Sequence, residues 1–541
     1  MSLIRPVVLL LALFQGLFVH AQSLEEPAPH NWFLLDPATD HVQGVSAEKA
    51  YRTLLQDRPS RTVLVAVIDS GIDIDHEDLK GIIWTNPREI AGNGLDDDKN
   101  GYIDDVHGWN FIGGKEGNVN DDSYELTREY ARLSKKFAGV EESKVSKKDK
   151  SDWQAWQKVQ QRFDKEKETN QRQYTLYKNI ASNVFTSIDT LKKVLKTDSL
   201  TRENLSAFTT SNPTLLFSKG FILNVLRNMG PESTVSDLES ELKEAVDHYE
   251  RLVEYGYNLE YNPRTIVGDN YLNVDDRNYG NNDVKGPDPD HGTHVAGIIA
   301  ADRTNGLGIN GIASNVRIMV IRAVPNGDER DKDVANAIRY AVDNGAQIIN
   351  MSFGKSMSPQ KSAVDRAVRY AEQKGVLLIH AAGNEKDDND EEPSYPSRYY
   401  QDGKEARNWI EVGASGADSL NLIGSFSNFG KKAVDLFAPG VDIYSTVPGS
   451  KYKNNSGTSM ACPATTGVVA VLMSYFPELS PLEIKDILLR SVRRFDGLHV
   501  TRPSDGQEVD FNSLSRTGGL VNVYEAVKAA IDYKKTKSAP R

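Results

Sequence analysis

Two stretches of the chain, at about residues 61–110 and 265–530, alternate short β-branched runs with segments of helical periodicity. Continuous apolar strands joined by helices predict an α/β fold with a doubly wound, mostly parallel sheet and helices on both faces. Active sites of such sheets gather at the carboxyl ends of the strands. The predicted strands are Val63–Ile68, Val316–Val324, Gln347–Ser352, Val376–Ala382, Ile410–Ala414 and Val434–Ala438, and the predicted helices are Asp333–Asn344, Gln360–Lys374 and Ser459–Tyr475.

The segment 121–262 has a different pattern, rich in Lys, Glu, Gln and Ser, with apolar residues every three to four positions. This spacing places the apolar residues on one face of a helix. Ser236 and Glu239 fit a capping box at the start of such a helix. We therefore expect a helical insertion at 121–262, which divides the sheet domain into residues 61–120 and 263–530.

The chain begins with the features of an export signal. Arg5 precedes an apolar run, Val7–Val19, and small residues offer a cleavage point after Ala21. The run is too short for a confident membrane span, and no other stretch approaches the required length. We expect a cleaved signal peptide at 1–21, a secreted or periplasmic mature protein, a short N-terminal segment at 22–60 and a polar tail at 531–541.

Composition narrows the class of partner. A hydrophobic fraction of 39% and a charged fraction of 26% are typical of a soluble globular protein. The net charge of −12 argues against nucleic acid as the main partner, because phosphate binding needs a basic surface. The single cysteine, Cys462, has no partner for an internal disulfide, so an exported chain depends on packing or bound ions. Nothing in the sequence indicates the oligomeric state.

Three separated segments carry candidate chemistry. In the segment VAVIDSG, Asp69 lies at the end of a predicted strand. Its carboxylate either caps the next turn or orients a catalytic histidine. The segment HGTHVAG opens a helix with His291 and His294, which could also form a metal pair, although a third ligand is not evident. In GTSMACP, Ser459 lies where a helix begins, as an ordinary N-cap or as a nucleophile favoured by the positive end of the helix.

In the order Asp, His, Ser, these segments resemble the signature blocks of the subtilase family of serine proteases. Further blocks agree with this resemblance: NMSFG at 350–354, AAGNE at 381–385, FSNFG at 426–430 and FAPG at 437–440. The likeness covers residues 61 to about 105 and 266 to about 530. The helical insertion has no counterpart in it.

The resemblance implies a secreted serine endopeptidase that acts on peptides or proteins and needs no cofactor for its chemistry. Ser459 would attack the scissile carbonyl, His291 would accept and return the proton, and Asp69 would hold the imidazole. Asn384 would supply an oxyanion-hole donor. The backbone of Ser352 and Gly354 would pair with an extended substrate as an added strand.

The sequence departs from the family pattern in two ways, and neither changes a residue of the triad. Ala464 follows Pro463 where relatives often carry a histidine, which we interpret as a packing variation because that histidine is outside the triad. His291 lies 222 residues after Asp69, a long separation that the insertion accounts for. The segment 22–60 is short for the inhibitory propeptide that many relatives carry at this position. The insertion either takes over that role, as a folding aid or as a gate over the cleft, or is a surface elaboration.

The segment 96–105, DDDKNGYIDD, resembles the first half of an EF-hand-type calcium loop. The expected ligands are Asp96, Asp98, Asn100, the carbonyl of Tyr102 and Asp104. A glutamate is absent at the twelfth position, which is His107. The sequence therefore leaves two interpretations, a structural Ca²⁺ site or a solvated acidic turn.

Two functions from different classes remain at this point. The complete triad together with Asn384 favours an active endopeptidase, because peptide binding alone requires none of these four residues. The alternative is a catalytically inactive subtilase-like protein that keeps the groove as a peptide-binding module.

Overall fold

The computed structural model describes residues 28–230, 233–419 and 421–538. It contains two compact units. We call residues 126–262 the helical unit and the rest of the described chain the sheet unit. The signal peptide predicted at 1–21 lies outside the described residues.

The strands of the sheet unit are mostly short and buried. Their bounds are β1 Val63–Asp69, β2 Gly108–Asn110, β3 Gly113–Gly114, β4 Gly117–Asn118, β5 Val316–Arg322, β6 Ile348–Met351, β7 Leu377–Ala381, β8 Trp409–Ser415, β9 Leu436–Pro439, β10 Ile443–Val447, β11 Lys451–Asn455, β12 Arg493–Arg494, β13 His499–Thr501, β14 Glu508–Asp510 and β15 Gly519–Leu520.

Nine of these strands form one sheet in the order β12-β15-β9-β8-β7-β6-β1-β5-β2. Every neighbouring pair is parallel except β12 with β15. In the middle of the sheet, β1 pairs with β5 on one side and with β6 on the other. The predicted α/β class with a doubly wound, mostly parallel sheet is confirmed. The carboxyl ends of β1, β6 and β7 lie along one stretch of the sheet edge.

The helices of the sheet unit cover both faces of the sheet. Val65 and Val67 of β1 pack into a core shared with the helices Asp290–Ala300 and Thr458–Tyr475. The intervening Ala66 and Ile68 pack on the opposite face, where the helices Asp331–Asp343 and Lys361–Lys374 lie. The remaining helices are Trp32–Leu34 (3₁₀), Pro37–Asp40, Ala47–Ala50, Tyr51–Leu55 (π), Arg264–Val267, Pro481–Arg490, Phe511–Ser513 (3₁₀) and Val523–Ser538.

Both ends of the described chain belong to the sheet unit. Trp32, Phe33 and Leu34 are fully buried in its core, and the Trp32 indole donates a hydrogen bond to the Asp442 carbonyl at 3.2 Å. The last helix, Val523–Ser538, continues into the segment expected to be a polar tail. Among the helices of the described residues, none is long and apolar enough to cross a membrane.

The helical unit is built around one helix of 46 residues, Lys150–Leu195. The helix Val235–Arg251 begins with a capping box, but its residues are not the predicted Ser236 and Glu239. Thr234 is the N-cap, and its side chain exchanges hydrogen bonds with Asp237 because the chain turns from extended to helical at Thr234. The other helices are Glu125–Phe137, Glu142–Lys144 (3₁₀), Lys147–Asp149 (3₁₀), Arg202–Ala207, Pro213–Met229 and Leu252–Gly256 (π).

The residues just before and just after the helical unit are anchored to one part of the sheet unit. Asp122 accepts two hydrogen bonds from the Arg330 guanidinium, at 2.7 and 2.9 Å. Arg264 donates two to Asp333, at 2.6 and 2.8 Å. Arg330 and Asp333 both lie at the start of the helix Asp331–Asp343, so the chain leaves the sheet unit and returns to it near the same helix end.

We expect the sheet unit to fold without residues 126–262. The test variant joins Glu125 to Pro263 through a flexible Gly/Ser linker of about ten residues, and the two buried ion pairs hold the ends in place. Thermal unfolding followed by circular dichroism should show one cooperative transition, whereas aggregation or a loss of cooperativity would contradict the expectation. Cleavage of an unstructured substrate by the same variant at the normal rate would rule out the gating hypothesis for the insertion.

Candidate active site

Asp69 and His291 form a hydrogen-bonded pair at the carboxyl end of β1. Asp69 is the last residue of β1 and is 2% exposed, and its Oδ1 lies 2.7 Å from His291 Nδ1. The Ser70 amide donates to the same oxygen at 2.7 Å. A Cβ on Gly292 would lie 2.2 Å from the Gly71 carbonyl oxygen, so only glycine lets the helix carrying His291 approach β1 this closely.

The electrostatics of the pair suit a general base. Burial disfavours a charged His291 ring, but the charge and hydrogen bond of Asp69 outweigh it, so the pKa of His291 is raised above its usual 6.5. Because the Asp69 carboxylate accepts the proton on Nδ1, the lone pair of a neutral ring is on Nε2. His291 therefore presents a basic nitrogen away from Asp69.

Ser459 is the second residue of the helix Thr458–Tyr475, which packs against the helix carrying His291. Its hydroxyl donates to the Ser352 carbonyl at 3.2 Å, and its own carbonyl accepts from the Ser352 hydroxyl at 3.0 Å. Ala464, further along the helix, is buried in the core. The structure thus brings the start of this helix to the end of β6, next to the strand expected to bind substrate.

Asn384 lies beside Ser459 after the end of β7. Its Oδ1 accepts hydrogen bonds from the Thr458 amide at 2.9 Å and from the Thr458 hydroxyl at 3.1 Å. A Cβ on Gly457 would lie 3.6 Å from both Asn384 Nδ2 and the Ser459 backbone nitrogen. With the Asn384 oxygen held by Thr458, the Asn384 side-chain nitrogen and the Ser459 amide both lie near Gly457. No sequence pattern pointed to the orienting role of Thr458.

His294 has surroundings that do not suit a metal pair with His291. It is fully buried, and its Nε2 donates to the Lys453 carbonyl at 3.1 Å. Burial lowers the pKa of His294 to about 3, so the ring is neutral. Among the described residues, the single cluster of three metal-ligating side chains lies elsewhere, on the loop after β1. Within the described part of the chain, His291 and His294 therefore belong to no cluster of three metal-ligating side chains.

That cluster consists of Glu89, Asp96 and Asp98, each with a ligand oxygen within 4.8 Å of the other two. Glu89 Oε1 accepts from the Asp98 amide at 3.1 Å, whereas Glu89 Oε2 is buried and has no hydrogen-bond partner among the described residues. A buried carboxylate oxygen without a donor is costly unless a cation binds it. The three oxygens therefore suit a hard cation such as Ca²⁺.

The other residues expected as calcium ligands lie differently. Asp104 is outside the cluster of three, and its oxygens accept hydrogen bonds from the amides of Gly92, Asn93 and Gly94. Its role as a ligand stays a prediction. The side-chain oxygen Oδ1 of Asn100 accepts from the Tyr102 amide, and the Asn100 Nδ2 donates to Asp105. Glu89 was not predicted, because it precedes the repeating acidic pattern and no spacing links it to Asp96.

Comparison with known proteins agrees with this geometry. Residues 60–518 match the profile of the Subtilase family, Peptidase_S8. A region of 185 residues, 34% of the chain, is 44% identical to "Thermophilic serine proteinase" of Bacillus sp. (strain AK1) and covers 42% of that protein. A region of 216 residues, 38% of the chain, is 38% identical to "Major intracellular serine protease" of Bacillus subtilis (strain 168) and covers 63% of it.

A third relative, "Thermitase" of Thermoactinomyces vulgaris, is 41% identical over 185 residues, which make up 34% of the chain and 61% of that relative. The matched regions thus span between about two fifths and two thirds of these three relatives. The family profile, in contrast, extends over most of the chain and includes both parts of the sheet unit that contribute to the site. This chain belongs to the subtilase family.

Proposed function

We propose that the protein is a secreted serine endopeptidase that hydrolyses peptide bonds through an acyl-enzyme on Ser459. The observation that carries this proposal is the 2.7 Å hydrogen bond between Asp69 and His291, on a helix that packs against the one carrying Ser459 at its second position. The relatives' names support it, since each is a serine protease by name or a thermitase. Export rests on the signal peptide predicted at 1–21.

In the proposed mechanism, His291 accepts one proton and returns it in each half of the reaction. His291 Nε2 takes the Ser459 hydroxyl proton as the oxygen bonds to the scissile carbonyl carbon, and then gives that proton to the leaving amine. Asp69 holds the ring tautomer and stabilises the imidazolium. In the second half, His291 activates a water that attacks the acyl carbonyl and releases Ser459.

Negative charge develops on the carbonyl oxygen in both halves of the reaction. We propose that Asn384 Nδ2 and the Ser459 amide donate to this oxyanion. Their shared distance of 3.6 Å from a common point at Gly457 supports this role. The backbone from Ser352 to Gly354 binds the substrate as an extended strand, because Ser352 contacts Ser459 through two hydrogen bonds.

Covalent labelling tests the proposal against the inactive alternative. A fluorophosphonate probe needs an activated serine, so mass spectrometry should find about one adduct per chain on Ser459. The same probe should leave the His291→Ala variant unlabelled, because the base is missing. An unlabelled wild type with normal thermal unfolding would instead favour the catalytically inactive, peptide-binding protein.

Asn384→Ala is expected to lower kcat about 10²- to 10³-fold with little change in KM, since the lost donor acts on the developing oxyanion. Steady-state kinetics on a peptide anilide measures both constants. Thr458→Val is the control. It removes the hydroxyl that contacts Asn384 Oδ1 but keeps the hydrogen bond from the Thr458 backbone amide to that oxygen. An Asn384→Ala effect no larger than that of the control would exclude the oxyanion role.

We further propose that Glu89, Asp96 and Asp98 hold a structural Ca²⁺. The metal supplies stability only, and none of the catalytic steps above involves it. Support comes from the three converging carboxylates and from the unpartnered Glu89 Oε2. With no disulfide available to Cys462, an ion clamp on the loop after β1 suits an exported chain.

Calcium is expected to raise the Tm of the wild type and to leave that of Glu89→Gln unchanged. At a free concentration about 100 times the Kd, binding adds about 2.7 kcal/mol to the free energy of unfolding. Asp97→Asn is the matched control, since this neighbouring acid contacts Ile90 and Asn93 outside the cluster and should keep the response. Differential scanning calorimetry measures each Tm in Ca²⁺ and in EDTA. Equal wild-type Tm values in the two conditions would refute the site.

A further inference from the structure

A buried arginine, Arg322, lies beside Asp69 and has no part in the mechanism above. It is 2% exposed and is the last residue of β5, where it pairs in register with Asp69 at the end of β1. Side chains alternate between the two faces of a strand, and Val67 and Val320 both pack into the core shared with the helix that carries His291. Asp69 and Arg322, each two residues further along, therefore project from that same face of the sheet.

The Arg322 guanidinium donates three hydrogen bonds, and all three acceptors are neutral. Nε donates to the Ser70 carbonyl at 2.5 Å, and the two terminal nitrogens donate to Asn110 Oδ1 at 3.1 Å and to the Val119 carbonyl at 2.7 Å. Burial lowers the pKa of Arg322 to about 10, because the attraction of more distant acids does not compensate for the lost hydration. The charge is thus held in the interior by uncharged groups.

This arrangement differs from that of the other buried arginines in the described part of the chain. Arg264, Arg330 and Arg398 each form an ion pair with a buried aspartate. Such a partner compensates for part of the cost of taking a charge out of water. Within the described residues, Arg322 forms no ion pair. An uncompensated charge in the interior departs from the usual pattern, and such departures are expected at functional sites.

The bond to Ser70 connects Arg322 to the carboxylate of Asp69. Ser70 follows Asp69 directly, and its amide donates to Asp69 Oδ1 at 2.7 Å. Its carbonyl accepts the bond from Arg322. The guanidinium therefore fixes the backbone of the residue whose amide orients the Asp69 carboxylate, and a rotation of that backbone would move the amide away from Oδ1.

Arg322 also contacts the segment that leads to His291. A Cβ built on Gly286 would lie 2.2 Å from Arg322 Nε and 2.5 Å from Cζ, so the guanidinium packs directly against the backbone of Gly286. The Ser70 hydroxyl donates to the Asp288 carbonyl of the same segment at 3.0 Å. Arg322 thus touches both pieces of chain, the one that carries the acid of the pair and the one that carries the base.

We propose that Arg322 is a positioning residue for the peptidase reaction. It fixes the Ser70 backbone and, through it, the geometry of the hydrogen bond between Asp69 and His291. It acts through that pair and carries no proton of the reaction. A displacement of about 1 Å in such a group can lower a rate about 10²-fold. This inference rests on the proposed peptidase function and adds a residue outside the triad.

A double-mutant cycle with Asp69→Asn tests the proposal. Arg322→Met keeps the start of the side chain but removes the donors, and it should lower kcat about 10²-fold with little change in KM. In the Asp69→Asn background the same substitution should change kcat less than about threefold, because the pair that Arg322 positions no longer works. Steady-state kinetics on a peptide anilide measures both constants, with each rate corrected for the folded fraction seen by circular dichroism.

A second variant, Arg322→Lys, keeps the cycle informative if Arg322→Met does not fold. It keeps the charge but replaces the fork of donors by a single ammonium, so we expect a smaller loss in kcat, about 10-fold, which should also disappear in the Asp69→Asn background. Ser474→Ala is the matched control, because its hydroxyl donates to the Arg61 carbonyl ahead of β1, at the opposite end of that strand. It should lower the Tm and leave kcat within about twofold of the wild type.

The outcomes separate this inference from the peptidase proposal. A kcat within about threefold of the wild type in every folded Arg322 variant, or a loss that is equally large in the Asp69→Asn background, would overturn the positioning role alone. A wild type that neither hydrolyses the anilide nor reacts with the fluorophosphonate probe would contradict the peptidase proposal and this inference with it.

Discussion

Replacing Ser459 with alanine is expected to lower kcat by roughly six orders of magnitude, the scale found when the nucleophile of a serine protease is removed. In the proposed mechanism no other group replaces it, because the acyl-enzyme forms on its oxygen. The hydroxyl makes one hydrogen bond of 3.2 Å, to the Ser352 carbonyl, so its loss should change the Tm little. Hydrolysis of a peptide anilide, followed over hours at high enzyme concentration, measures the residual rate.

Ser456 provides the matched control for this variant. It lies three residues before Ser459, and its exposed hydroxyl contacts Asp442 at the surface. Ser456→Ala should retain kcat within about twofold of the wild type, as surface substitutions away from the site do. Residual hydrolysis above one part in a thousand in Ser459→Ala would require a different nucleophile.

The second large effect is expected for Asp69→Asn, with a loss of about 10⁴-fold in kcat. The asparagine amide can donate to His291 Nδ1 and so favours the tautomer whose Nε2 is protonated, which is useless as a base. The variant should still bind peptide, because Asp69 is buried behind His291. Comparison of kcat with the KM of the residual reaction, or with the Kd of a product peptide, checks that binding survives.

The pH dependence of the wild type follows from the same pair. His291 must be neutral to accept a proton, so kcat/KM is lost as the pH falls through the pKa of His291. Since Asp69 raises that pKa above its usual 6.5, the midpoint of the acid limb should lie above pH 6.5. In Asp69→Asn the supporting charge is gone, and the acid limb should move to lower pH.

Asp290 supplies the control for the charge effect. It is the other acid that raises the His291 pKa, but its carboxylate pairs with Lys453 at 2.8 Å rather than with the ring. Asp290→Asn should leave kcat near the wild-type value and shift the acid limb only slightly. A loss as large as that of Asp69→Asn would show that nearby negative charge matters more than the hydrogen bond to Nδ1.

The fold was predictable because its strands are buried on both faces and so have continuous apolar runs. β1, β5 and β7 were recognised by this composition, with bounds that differ from the prediction by at most two residues. β2 was not, because its three residues, Gly108–Asn110, are too few to show a pattern. It forms the sheet edge through pairing with β5, a contact that depends on residues far away in the sequence.

In the candidate site, too, the residues placed by regular secondary structure were predictable from the sequence, and those placed by irregular backbone were not. Asp69 ends β1, and Ser352 and Asn384 follow β6 and β7, so their approach is expected from the order of neighbouring strands in a parallel sheet. Glu89 meets Asp96 and Asp98 through the course of an irregular loop, which no periodicity describes. Thr234 shows the same limit for helix ends, since Ser236 offered an equally good spacing and the backbone geometry decided between them.

The N-terminal segment restricts where the chain can be cleaved during maturation. Trp32, Phe33 and Leu34 fill the core of the sheet unit, and burial of each such side chain contributes about 1.5 to 3 kcal/mol. A peptidase cut between Leu35 and Arg61 would leave this piece attached by noncovalent contacts alone, and its release would expose the core. We therefore expect a maturation step that discards an N-terminal peptide to cleave before Trp32. A cut in the linker ahead of β1 would lower the stability of the sheet unit.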